Sequence, residues 1–179
     1  SASNGNVTFA VDSTTALAGS TRTIDGTDVS TGGGTLTASA LAGNVVEVAG
    51  AGIDVSAAGD AAGGRATFSA PQGTVTLAGA LRGTATDPVR GATLALDGLA
   101  VPSLDAVAAI QQQAGGNFSG ALDLRQRGAD DMSLAAGHAL AADTVAIAVD
   151  GGALAVAGRV DAGGSAAGSI ELSARGDFW

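Results

Sequence analysis

Of the 179 residues, 46% are hydrophobic, but much of that share is Ala, with only four Phe, one Trp and no Tyr. The formal net charge is −9, every Lys/Arg-type cation is Arg, and the acids are fifteen Asp plus Glu47 and Glu171. An acidic chain without a basic run excludes nucleic acid and anionic membrane as partners; without Cys it has no disulfide and no thiolate metal site, and no apolar stretch nears the ~20 residues of a spanning helix.

Taken in chain order, short apolar runs alternate with period two, as half-buried strands do. They are Val7-Thr8-Phe9, Thr35-Leu36-Thr37, Ala66-Thr67-Phe68-Ser69, Thr93 to Leu96, Ala121 to Leu124, Val145 to Val149 and Ile170 to Leu172. Their central residues Phe9, Leu36, Phe68, Leu94, Leu122, Ile147 and Leu172 recur every 25 to 32 residues. Second runs follow at Val46 and Val48, Val75 and Leu77, and Leu154 and Val156; third runs follow at Ile53 to Val55 and Arg159 to Asp161. Repetition at such a period marks a stacked architecture in which each copy is completed by the next. A core of Ala, Val, Leu and Ile is thin, which suits strands stacked about 4.8 Å apart.

The turns fit the same plan. Ala49 to Gly52, Gly151-Gly152 and Ala162 to Gly164 are small-residue corners expected to supply positive φ. Asp25-Gly26-Thr27-Asp28 and Asp60 are read as loop segments, their carboxylates capping turns rather than holding calcium. One stretch breaks the pattern: Ser103 to Ala114 has a Ser cap, Asp105 in its first turn, and Leu104, Val107, Ala108 and Ile110 at helical spacing before Gly115-Gly116. This predicts a short helix over 103–114 laid against the outside of the strands. The long intervals 36 to 68 and 94 to 122 are where loops or this helix leave the repeat.

The expected fold is therefore all-β: one domain over 1–179, a right-handed parallel β-helix of about six to seven coils with one external helix. A β-sandwich is the alternative, but it lacks phase-locked similarity between distant segments.

Few residues carry chemistry. His138 is the only His, and neither a nucleophile elbow nor a Cys accompanies it. Asp130-Asp131 is the one adjacent carboxylate pair, and neighbours on a strand point to opposite faces. Asp97 and Asp123 on adjacent coils offer a glycosidase pair only if the fold brings them together on one surface. Without Lys there is no phosphate-binding loop. No catalytic, cofactor-binding or metal-binding residue is assigned. The candidate contacts are Arg125 and Arg127, on one strand face, with Arg90 on a neighbouring coil. They suit an anionic glycan, or pair with nearby Asp residues.

The phrase from Val160 to Gly176, with its Asp-Ala-Gly-Gly turn, its Gly-Ser-Ile-Glu-Leu strand and closing Ala-Arg-Gly, resembles the coils of filamentous-haemagglutinin-like exoproteins secreted by the two-partner route. Ile53 to Ala70 repeats the same sentence. The resemblance implies a long right-handed β-helix, secreted or displayed on a Gram-negative cell surface after export through an outer-membrane barrel partner. It implies a non-enzymatic adhesin or shaft meeting a host or neighbouring-cell receptor or glycan, and a chain that is a piece of a longer solenoid. Asn-rich inward ladders are missing, with Asn only at 4, 6, 44 and 117. The alternatives are a β-helix polysaccharide lyase or glycoside hydrolase, and a self-assembling structural module.

Overall fold

The computed structural model describes residues 1–163, 168–177 and 179. It is mostly β, and almost every strand pairs in parallel with one about a repeat away. The first lap runs through β1 (Val7–Phe9) and β2 (Thr14–Ala16), leaves as a hairpin of β3 (Thr21–Ile24) and β4 (Thr27–Ser30), and returns through β5 (Thr35–Ser39). The second takes β6 (Val45–Glu47), β7 (Gly52–Asp54) and the first half of β8 (Arg65–Leu77), whose last residues open the third, followed by β9 (Ala80–Arg82) and β10 (Thr93–Ala100). Helix α1 (Leu104–Gln112) and β11 (Ala121–Gln126) form the fourth. The fifth is β12 (Met132–Leu134), β13 (Ala139–Ala141) and β14 (Thr144–Val149); the sixth is β15 (Leu154–Val156), β16 (Arg159–Asp161) and β17 (Ser169–Ala174).

The pairings assemble one large parallel sheet in the order β1-β6-β8-β10-β11-β14-β17, with β5 also on β8, and smaller parallel sheets β2-β7-β9, β12-β15 and β13-β16. Among the described strands only the β3–β4 hairpin is antiparallel. Two inward ladders fill the core of the main sheet. Leu36, Ala66, Leu94, Leu122, Val145 and Ile170 stand in register, as do Ala38, Phe68, Leu96, Leu124, Ile147 and Leu172. Each ladder holds a single Ala among larger aliphatic or Phe side chains, and both are buried through the middle of the sheet, while Ile170 at the end of the first is exposed.

Several expectations need correcting. Phe9 stands opposite Glu47 and Leu77, not in line with Leu36, and Leu36 faces Ala66 while Phe68 faces Ala38. Ile147 lies opposite Leu124 and not Leu122. In β6 the phase is inverted: Val45 and Glu47 are buried inward, while Val46 and Val48 are only half-buried. A one-residue shift turns every side chain of a strand over. The long excursion falls before Leu36, not after it. Residues 25–28 are not a loop: Asp25 (φ 49°) and Gly26 (φ 76°) make the two-residue turn of the hairpin, the pair of positive φ values that a tight hairpin of matching twist needs. Gly50 has φ 87° as expected, but Gly151 and Gly152 are not in the left-handed region. Gly152 is required for space, because a Cβ there would stand 2.2 Å from the Asp130 carbonyl oxygen. Gly164, with the rest of 164–167, lies outside the described residues.

The helix forms where its cap and spacing place it, with Ser103 Oγ accepting from the Ala106 N–H at 3.2 Å. It does not lie outside the strands. Leu104, Val107, Ala108 and Ile110 are all buried in the common core, and α1 packs on β12 and β13, at the level where no described strand joins β9 to β13. Its polar side chains complete the strand edges it meets. Gln111 donates to the Ala141 carbonyl at 2.7 Å and accepts from the Ala141 N–H at 3.1 Å. Asp105 accepts from the Ala135 N–H at 2.9 Å.

Candidate functional site

Outward residues of the main sheet form three ladders because register is kept from β8 to β17. One reads Arg65, Thr93, Ala121, Thr144, Ser169; the next Thr67, Ala95, Asp123, Ala146, Glu171; the third Ser69, Asp97, Arg125, Ala148, Ser173. Ala at positions 95, 121, 146 and 148 keeps this face low. Between the taller side chains of β8, β10 and β11 lies a groove of about 300 Å³, lined by Arg65, Thr67, Ser69, Asp97, Asp123 and Arg125.

The groove brings Asp97 and Asp123 together, but they are not equivalent. Arg127 grips Asp97 with two bonds, Nε to Oδ1 at 2.6 Å and Nη2 to Oδ2 at 3.0 Å. Those hydrogen bonds push the Arg127 pKa further up. Asp123 has no ion-pair partner among the described residues, and Arg65 donates only to Thr67 Oγ1 at 3.2 Å. Arg125 is held by Asp150, with Nε at 3.0 Å and Nη2 at 2.8 Å from Oδ2.

Of the three arginines singled out from sequence, Arg125 lines the groove and Arg127 acts through Asp97 at its edge. Arg90 stands apart, its Nη1 donating to the Asp60 carbonyl at 2.9 Å. Of the two readings of these arginines, the pairing with nearby Asp residues is what the geometry displays for Arg125 and Arg127, each held by a carboxylate from an adjacent lap. Arg65 is the groove residue that sequence reasoning missed. Its signal was the two-residue spacing Arg65-Thr67-Ser69 on one strand face.

Other acids do structural work. Asp54 accepts from Ser56 N–H, Asp131 from Ala153 N–H and Asp161 from Gly163 N–H, each within 2.9 Å; Arg159 also pairs with Asp161. Asp28 accepts from Thr23 Oγ1 within the hairpin at 2.6 Å. His138 sits half-exposed in a turn, with Nδ1 2.7 Å from Asp105 Oδ1. The Ala135 N–H, and then His138, hold the Asp105 carboxyl below its ordinary value. Ser133 is exposed on β12, and no hydroxyl among the described residues hydrogen-bonds His138, so the pair ties α1 to the following turn. No group of three His, Cys, Asp or Glu side chains among the described residues is placed to hold a metal ion.

No family model matches the chain, and no curated protein or solved structure does.

Proposed function

We propose that the parallel sheets are faces of one right-handed β-helix, and that the chain is a non-catalytic segment of a secreted or surface-displayed adhesin-type exoprotein. It serves as a stiff shaft and offers the groove on the main sheet as a glycan contact. Right-handedness follows from the preference of crossovers between parallel strands. Gram-negative display, export through an outer-membrane barrel and a receptor on a host or neighbouring cell rest on the resemblance to filamentous-haemagglutinin-like coils.

The observation that carries the glycan reading is the convergence of Arg65, Asp97, Asp123 and Arg125 with Thr67 and Ser69 in one groove. Carboxylates, guanidinium groups and hydroxyls together donate to and accept from sugar hydroxyls. With Arg125 and Arg127 already paired, the groove suits an uncharged glycan better than a sulfated one. The test is binding of the fragment to a glycan array at two salt concentrations, beside Arg65→Ala, Asp123→Ala and Arg90→Ala. Saturable, salt-insensitive binding lost in the first two variants and kept in the third is expected. Folded protein that binds nothing would leave only the shaft.

The meeting of Asp97 and Asp123 in that groove favours polysaccharide cleavage as a second reading. It requires a free acid and a free base on opposite sides of a glycosidic bond, and Asp97 has both oxygens engaged by Arg127. Release of reducing ends from a polysaccharide panel, abolished by Asp123→Asn, would establish it.

A further inference from the structure

The wall of the corner between the main sheet and the β2-β7-β9 sheet contains an ionisable side chain that the proposed function does not use. Glu47 is 0% exposed. It points inward between Phe9 and Leu77, its register partners on β1 and β8. Its Oε2 accepts from the Gly79 N–H at 3.2 Å, while Oε1 is buried with no hydrogen-bond partner among the described residues. Ser13 Oγ, in the turn entering β2, is likewise buried and unpartnered.

Among the described residues no cation faces this carboxyl. β1, β2 and the paired end of β8 carry no titratable side chain. Asp12 in the adjacent turn is exposed, and on the neighbouring sheet Asp54 and Arg82 alternate with the buried Ile53 and Leu81, so they face outward. An ionised carboxylate here would be a buried charge with one hydrogen bond, which is costly unless water reaches it. The neutral acid fits, and it also has a proton to donate.

We propose that Glu47 is a proton-operated latch on the first lap, holding β1 and β2 on β6 and β7 while the carboxyl is neutral and loosening that hold when it ionises. The first lap is the part that yields because β1 and β2 are three residues each and pair on one side only among the described strands. β8 is anchored further along the chain, where Arg65 to Ala70 and Thr74 pair with β10, beside its pairing with β6. Opening hydrates the carboxylate and uncovers the edges of β6 and β7.

Burial pushes the Glu47 carboxyl up from 4.5 to about 7, the Gly79 N–H offsetting part of the shift. Between those values the closed form binds more protons than the open form, so closure weakens as pH rises. From pH 5.5 to pH 8.5 the opening constant of the first lap rises about 30-fold.

The experiment is hydrogen exchange on the whole chain at both pH values, corrected for intrinsic rates. Protection of residues 7–9 and 14–16 is expected to fall about 30-fold, with 145–149 unchanged and with no such fall in Glu47→Gln, which keeps the shape of the neutral acid. Unchanged protection in 7–16, a uniform loss along the chain, or the same loss in Glu47→Gln overturns the latch. The wild-type side-chain carboxyl resonance gives a reading without any variant. A titration midpoint near 7 supports the proposal, and one near the ordinary 4.5 overturns it.

Discussion

Phe68→Ala tests how energy is distributed along the stack. Phe68 is fully buried in the inward ladder between Ala38 and Leu96, and its ring meets Phe9 edge-on with centroids 6.3 Å apart and planes at 78°. Removing it leaves a void that the walls cannot close, because backbone pairing fixes the spacing of the strands. The cost is about 3–5 kcal/mol, of which the ring pair accounts for roughly 0.5–1.5 kcal/mol. Phe9 is only half-buried, on a strand with one neighbour, so Phe9→Ala should cost about half as much or less. Urea unfolding followed by far-ultraviolet circular dichroism on both single variants and the double variant gives the three terms. If contacts are nearest-neighbour, hydrogen exchange in Phe68→Ala rises at 36–39 and 94–97 and stays unchanged at 145–149. A Phe9→Ala cost equal to that of Phe68→Ala, or equal loss of protection in β14, would refute the reasoning.

Three further outcomes are expected. Gln111→Ala strips the Ala141 N–H and carbonyl of their partner and should cost about 1 kcal/mol, whereas Gln112→Ala at an exposed position stays within about 0.5 kcal/mol in the same urea titration. Gly26→Ala places a Cβ at φ 76° and costs the turn about 1–2 kcal/mol; nuclear Overhauser contacts between Arg22 and Val29 weaken while the urea midpoint holds, since the hairpin is almost wholly exposed. Asp105 is held below its ordinary 3.8, so its contribution is present above that value and is lost as pH falls through the lowered one. Exchange at the Ala135 amide should quicken in that acid window, and Asp105→Asn should flatten the response.

Period-two alternation and the Ser103 cap made the strands and the helix legible, because both are local. Register was less so. Val45-Val46-Glu47-Val48 alternates equally well in either phase, and chemistry favours Glu outside. Three-dimensional stacking decides otherwise: Asn6 Oδ1 accepts from the Asn44 N–H and Asn44 Oδ1 from the Thr74 N–H, each at 2.8 Å. The clue was present as Gly5-Asn6-Val7, Gly43-Asn44-Val45 and Gly73-Thr74-Val75, which puts Val45 in line with Val7 and Val75. So a short Asn ladder exists, at a corner rather than in the core. The groove needed the same information. Arg125 with Asp150 and Arg127 with Asp97 lie 25 and 30 residues apart, a separation that only the register of adjacent laps converts into contact. The burial of α1 within the stack, and with it the Asp105–His138 tie, had no local signal at all.

That buried helix gives the stack a direction of weakness. At its level the main sheet is the one described sheet that runs through, by six paired residues between β10 and β11, while elsewhere the contacts are single ones, the Gly83 N–H to the Gly115 carbonyl and side chains such as Gln111 and Asp105. A bending load is therefore carried by a continuous hydrogen-bonded strap on one side and by replaceable packing on the other. In the proposed shaft, whatever compliance there is should be concentrated at this one level and on the helix side, with the laps before and after it staying stiff.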